Sequence, residues 1–193
     1  MALSIPIFYG SVRTEREGIR AAHFFLKQCL SRGHAPVLID PLEYRFPLLD
    51  YMYKEYTDIN PPEKMEELAQ IIRGADAFII VSGEYNHSIP PALTNMMDHF
   101  LEEYAFRPAG IVSYSSGRFG GVRAAVQLRS YLAELGMVTI SSQYPVPEVQ
   151  DKFTEEGVPT ASFPKAEKYA DSFLDELEWY ACGIRDNKRR KPY

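Results

Sequence analysis

The chain has 193 residues, 46% hydrophobic and 24% charged, a size and balance that suit one globular domain with a continuous core. Its formal net charge of -5 argues against a general nucleic-acid binder, whose footprint is a basic face. Two cysteines, Cys29 and Cys182, lie far apart with no CxxC or Cys/His cluster, so neither a disulfide framework nor a metal site is expected, and a reducing cytoplasm is the expected compartment.

The opening "MALSIPIFYGS" has no basic segment before its apolar stretch, unlike a secretory signal. No apolar run approaches the roughly 20 residues of a membrane span. In chain order, 3–10 reads as a short strand and 18–33 as a helix, with Ile19, Ala22, Phe25, Leu26, Cys29 and Leu30 on one face and Gly33 as its stop. A strand follows at 35–40. Residues 41–62 carry aromatics and prolines without sustained periodicity and read as a long ordered loop. Residues 62–75 read as a helix with Pro and Glu in the first turn and Arg73 in the last. The nearly all-apolar 76–83 reads as a central strand. Then come a helix at 91–104, a strand and loop at 109–117, a helix at 120–136 and a strand at 137–143. A closing helix is expected at 164–183, before the polar, mobile tail "IRDNKRRKPY". The domain is taken as 1–185 and the tail as 186–193.

Strands and helices thus alternate five times. That order specifies a doubly wound α/β fold, a five-stranded parallel sheet with helices on both faces and strand order 2-1-3-4-5. Ligands then bind beyond the carboxyl ends of strands 1, 3 and 4, where three unusual loops fall. In "YGSVRTEREGIR" (9–20) the unpaired amides of a helix start form an anion site, with Ser11 and Thr14 as hydroxyl donors and Arg13 and Arg16 as cations. The loop matches neither GxGxxG nor GxxxxGK[ST], so a single terminal phosphate is favoured over a triphosphate; a plain helix cap with surface arginines explains the residues equally well. In "GEYNHSIPP" (83–91), an aromatic ring, an amide and backbone donors sit on a turn stiffened by Pro90 and Pro91, suited to a flat heterocycle. In "SYSSGRFGGVRAA" (113–125), Gly117, Gly120 and Gly121 allow close backbone approach or positive φ, and Ser115 and Ser116 offer bonds to a ring carbonyl.

Taken together, "GSVR", "GEYNHSIPPALTNMMD" and "YSSGRFGGVRAAVQLR" resemble the three signatures of the NADPH-dependent FMN reductase family, in order and spacing, from residue 4 to about 145. The resemblance implies a flavodoxin-like fold. It implies that Ser11, Arg13 and the turn Glu15, Arg16, Glu17, Gly18 and Ile19 bind the FMN phosphate. Glu84, Tyr85 and Asn86 would line the isoalloxazine, and Ser115, Ser116 and Gly117 would close over its other edge. It also implies a homodimer or homotetramer. Four positions depart from the family pattern: Gly83 stands where Pro is frequent, Thr94 where lysine is common, and Gly18 and Arg20 where Ser and Asn often occur.

The expected activity is an FMN-dependent NAD(P)H oxidoreductase with NADPH or NADH as co-substrate. It would act by a ping-pong cycle on quinone, flavin, azo or metal-oxyanion acceptors. The flavin carries the chemistry, so no protein nucleophile or metal is required and no catalytic side chain is assigned. A non-enzymatic FMN electron carrier and a flavin-dependent redox-sensing partner protein are the alternatives. His87 adjoins the expected flavin and is either a donor to substrate or a solvent-facing loop histidine. Met96, Met97, His99 and Phe100 are expected to pack. The tyrosine-rich 44–56 segment either meets a partner subunit's flavin pocket or folds over its own core. "NKRRK" (187–191) reads as a solvated tail, and Cys29 as a core residue.

Overall fold

The computed structural model describes residues 2–191. Five strands, β1 (Ser4–Tyr9), β2 (Ala35–Ile39), β3 (Phe78–Gly83), β4 (Pro108–Tyr114) and β5 (Val138–Val146), form one parallel sheet of order β2-β1-β3-β4-β5. This is the expected order. The β1–β3 ladder begins at Ile7, just past Pro6, which has no N–H to contribute.

Side-chain alternation along the strands splits the core into two layers. On one face, Ile5, Ile7 and Tyr9 of β1 and Ile79 and Val81 of β3 meet α1 (Ile19–Ser31) and the long closing helix. On the other, Phe8, Phe78 and Ile80 meet α2 (Glu63–Gly74), α3 (Pro91–Asp98) and α4 (Val122–Glu134). Every residue of β3 and β4 is buried, which is why those segments read as unbroken apolar runs rather than alternating ones. Gly110 of β4 lets the closing helix approach the sheet, since a Cβ there would come within 2.3 Å of the Phe173 ring.

Several boundaries differ from the sequence reading. The helix expected over 91–104 ends at Asp98, and a separate 3₁₀ turn covers Glu102–Tyr104. Strand β5 runs to Val146 rather than 143, because its register against β4 slips between Ala109 and Ile111; a bulge hides the strand's length from a simple alternation count. A short helix, α5 (Val149–Lys152), lies in a stretch assigned no element. The closing helix, α6 (Ala166–Arg190), continues past Gly183 instead of giving way to a mobile tail. Lys188, Arg189 and Arg190 occupy its last turn, where cations oppose the helix dipole. The expected tail's final positions, 192 and 193, lie outside the described residues.

Much of the 41–62 segment folds over its own core. Tyr44 is buried and donates its hydroxyl to Glu67 at 2.8 Å. Tyr53 donates its hydroxyl to Glu66 at 2.7 Å and its amide to the His99 carbonyl at 2.8 Å. Leu48 stands out at 85% exposure. Met96, Met97, His99, Phe100 and Cys29 are all buried, as expected. Among the described residues, no helix is long and apolar enough to cross a membrane, and no cluster of His, Cys, Asp or Glu has the arrangement of a metal site.

Candidate functional site

Strands β1, β3 and β4 end side by side at Tyr9, Gly83 and Tyr114. The three loops that leave them enclose a cavity of about 290 Å³. Ser11, Arg13, Glu15, Arg16, Glu17 and Gly18 line one side, Gly83, Glu84 and Tyr85 a second, and Tyr114, Ser115, Ser116 and Gly117 the third. Two expected residues fall outside it. Asn86 is exposed at the tip of its turn. Ile19, the first residue of α1, lines a neighbouring hollow with Arg20, His23 and Glu155.

The β1–α1 turn is built around free amides. The amides of residues 14–18 donate to no acceptor among the described residues; before them the Arg13 amide donates to Ser11 Oγ at 3.3 Å, and after them the Ile19 amide donates to the Arg16 carbonyl at 3.0 Å. They precede α1, whose N-terminus carries the partial positive end of the helix dipole. The side chains are less free. Arg16 pairs with Asp40 at 2.6 Å, and Arg20 pairs with Glu17 at 2.6 Å while bonding the Gln150 and Phe153 carbonyls. Arg13 remains exposed and unpaired. The sequence reading assigned the anion to arginines as much as to backbone; with Arg16 paired to Asp40, the groups left free in this turn are the 14–18 amides and the Arg13 side chain.

Beneath this turn lies a pair of phenols. Tyr9 and Tyr114 stack with centroids 6.1 Å apart and planes 18° apart. The Tyr114 hydroxyl donates to Tyr9 at 3.3 Å, and the Tyr9 hydroxyl donates to the Arg16 carbonyl at 3.1 Å. Burial pushes the Tyr9 phenol up to about 12 and carries Tyr114 well above its ordinary value, so both remain protonated donors at neutral pH. The Tyr114 ring also explains two family departures. A Cβ at Gly18 would lie 2.0 Å from that ring, and one at Gly83 would lie 3.0 Å from it. At Gly18 any side chain would displace the ring, whereas at Gly83 the ring would have to give by a few tenths of an ångström. Tyr114 and Tyr9 escaped the sequence reading, although Tyr114 is the last strand residue before the Ser-Ser-Gly loop and the strand-end rule points to it.

The second loop is a tight reversal. Tyr85 and Ser88 exchange backbone hydrogen bonds at 3.0 and 2.9 Å, and the residues between them, Asn86 and His87, have φ of 51° and 65°. This is the type I′ pattern, which asparagine tolerates well. It carries Asn86 and His87 outward and presents Tyr85 inward, where its hydroxyl meets Ser11 Oγ at 2.8 Å. The Glu84 carboxylate accepts from the α4 amides of Arg123 and Ala124 at 3.0 and 3.4 Å, fixing the loop to that helix.

The third loop spends most of its polar groups on itself. Ser115 Oγ donates to the Gly117 carbonyl at 2.6 Å and accepts from the Gly120 amide at 2.9 Å. Gly120 and Gly121 take positive φ, and a Cβ at Gly121 would strike the Tyr114 carbonyl oxygen at 2.6 Å. Gly117 faces open space instead. Of the three glycines singled out, it alone keeps its surface for a ligand. An acidic, phosphate-bearing flat molecule matches this donor set: amides at one end, an aromatic ring and an open glycine at the other.

A family profile described as NADPH-dependent FMN reductase matches residues 3–151. The chain is 28% identical over 200 residues to a 2-hydroxy-1,4-benzoquinone reductase from Burkholderia sp, covering 97% of this chain and 100% of that one. It is 36% identical over 84 residues to a quinone reductase from Escherichia coli (strain K12), covering 42% of this chain and 45% of the relative. Among solved structures, the flavoenzyme NAD(P)H:(acceptor) oxidoreductase FerB from Paracoccus denitrificans shares the fold with a TM-score of 0.75 at 21% identity, covering 93% of this chain and 99% of that one. The chain belongs to the NADPH-dependent FMN reductase family, the flavodoxin-like oxidoreductases that use FMN with NAD(P)H.

Proposed function

We propose that this protein reduces a quinone with electrons from NAD(P)H through one FMN held across the three strand-end loops, by a ping-pong cycle in which both substrates use one face in turn. When bound, FMN supplies the hydride chemistry, accepting from the nicotinamide and passing electrons to the acceptor. The observation that carries the reading is that residues 15–18, whose amides are unpaired, line one cavity with Tyr85 and Ser115–Gly117.

The chain's own residues bind and orient. The 14–18 amides and Arg13 receive a phosphate, for which a helix start is a ready site. Tyr9 and Tyr114 hold the turn from below through the Arg16 carbonyl. Tyr85, steadied by Ser11, lies beside the ring system. Ser116 and Gly117 leave room at the ring's polar edge, where preorganised donors favour the negative charge that reduction creates. The quinone acceptor rests on the two reductases named above. Exposed Leu48, Leu49 and Tyr51 in the 41–62 segment support a homodimer, and the free cysteines suit a reducing cytoplasm.

The test is anaerobic. Protein reconstituted with FMN should show a flavin spectrum that NAD(P)H bleaches and a benzoquinone restores, with parallel double-reciprocal plots in steady state. A colourless protein, or intersecting plots, contradicts this reading.

A further inference from the structure

The β4–α4 loop carries a feature that flavin binding leaves unused. Phe119, 51% exposed, packs against two arginines. The Arg118 guanidinium carbon is 4.9 Å from the ring centroid and that of Arg123 is 4.8 Å from it. Arg118 has no carboxylate partner among the described residues. Arg123 touches Glu84 at 3.4 Å, but that carboxylate already accepts from the α4 amides. The loop is held from behind, since the Glu148 amide donates to the Gly117 carbonyl at 3.0 Å and Gln150 Nε2 to the Ser116 carbonyl at 3.2 Å. Arg118 follows Gly117 directly, so within one residue, about 3.5 Å of chain, the lining of the cavity becomes this cationic rim.

We propose that Arg118, Phe119 and Arg123 form the subsite for the 2′-phosphoadenosine end of NADPH and select that nucleotide over NADH. The proposal rests on the NAD(P)H reductase reading. A 2′-phosphate is received by an arginine, whereas an unphosphorylated ribose 2′-hydroxyl is received by an acidic side chain. This rim offers the unpaired Arg118 fork and the Arg123 fork, of which Nη1 faces Glu84 Oε1 at 3.4 Å while Glu84 Oε2 accepts from the α4 amides. Each fork matches a phosphate's oxygens in geometry, and each guanidinium plane can stack on an adenine. The phenyl ring supplies what isolated surface arginines lack. It holds both cations in place before binding, so less side-chain freedom is lost when the phosphate arrives.

The experiment titrates FMN-loaded protein with NADP⁺ and NAD⁺ by isothermal calorimetry, with adenosine 2′,5′-bisphosphate as a probe lacking nicotinamide. NADP⁺ should bind at least about tenfold tighter than NAD⁺, the gain of a charge-assisted contact. Raising the salt should narrow that gap. Arg118→Gln should weaken NADP⁺ and the bisphosphate about fivefold to tenfold while moving NAD⁺ less than about twofold. Phe119→Leu, which keeps bulk but frees both guanidiniums, should weaken the same two ligands by a smaller factor. Equal affinities for the two nucleotides in the unaltered protein overturn the proposal, as does an Arg118→Gln variant that weakens both alike. If that variant leaves both nucleotides unmoved and raises KM for a sulfonated naphthoquinone, the arginines serve the acceptor and the proposal is overturned. Protein that takes up no FMN sinks the reductase reading beneath it, whereas protein that takes up FMN but treats the nucleotides alike sinks this proposal alone.

Discussion

The β1–α1 turn and the β4–α4 loop stand on either side of the same cavity and use their backbones in opposite ways. In the first, the amides of 14–18 are free while Arg16 and Glu17 are tied down by Asp40 and Arg20. In the second, Ser115, Gly120 and Gly121 are committed to the loop's own carbonyls, amides and close packing, the Ser116 and Gly117 carbonyls are bonded too, and the Cα face of Gly117 stays open. The difference teaches where binding energy resides. On the proposed reading, one side of the site would hold a charge with unpaired backbone donors and the other would shape a space for a flat ring. Tyr114 joins them, packing under Gly18 and Gly83 while its backbone receives Gly121.

The most damaging way to break that comparison is Gly18→Ala. The new methyl would fall 2.0 Å from the Tyr114 ring, so the turn or the ring must move. FMN affinity, read by quenching of flavin fluorescence, should fall by about 30-fold or more, on the scale of an overpacking penalty of 1–3 kcal/mol. A Gly18→Ala/Tyr114→Leu double variant should recover part of the loss; full additivity of the two changes would separate Tyr114 from the turn. Tyr9→Phe is gentler, deleting the hydroxyl that bonds the Arg16 carbonyl. A loss of about 1 kcal/mol, or about fivefold in FMN affinity, is expected. Riboflavin, which lacks the phosphate, should be unaffected, and an equal loss for riboflavin would show that the phenol supports the fold rather than the turn.

Glu84→Gln tests the other side. It weakens the carboxylate's hold on the Arg123 and Ala124 amides and should lower unfolding stability by about 0.5–1 kcal/mol, a cap-sized effect, measured by denaturant titration. A wild-type stability would mean that this contact contributes nothing. The remaining test is alkaline. Because burial raises the Tyr9 phenol to about 12, the folded chain holds that proton more tightly than the unfolded chain does. The stabilisation is therefore complete below the ordinary tyrosine range, near 10, and is lost as pH rises from about 10 to 12. Tyr9→Phe should make that limb of a melting-temperature profile shallower, with Tyr114 and the other buried phenols supplying the rest, and an unchanged limb would contradict the assignment.

The sheet was legible because buried parallel strands read as unbroken apolar runs, as in 76–83, and because Gly33 and Gly136 stop helices with positive φ. Strand β5 was cut short because the slip between Ala109 and Ile111 upsets period-two counting. Helix α6 was cut short because Gly183 resembles a stop, yet a Cβ there would meet nothing and the helix continues through it. At the site, residue types revealed the three loops but not their internal pairing. Nothing in "GSVRTEREG" shows that Arg16 pairs with Asp40 on β2's flank, 24 positions away. Nothing in "EYNH" shows that successive positive φ values turn Asn86 outward. Such pairings arise from tertiary proximity, which a linear pattern does not record.

The central claim is that unpaired amides at the start of α1 hold a phosphate on a flat cofactor. It is tested most directly by titrating apoprotein with FMN and with riboflavin under identical conditions. The account predicts that FMN binds at least about 100-fold tighter, as expected for several charge-assisted bonds to one phosphate. Equal affinity for the two would contradict it.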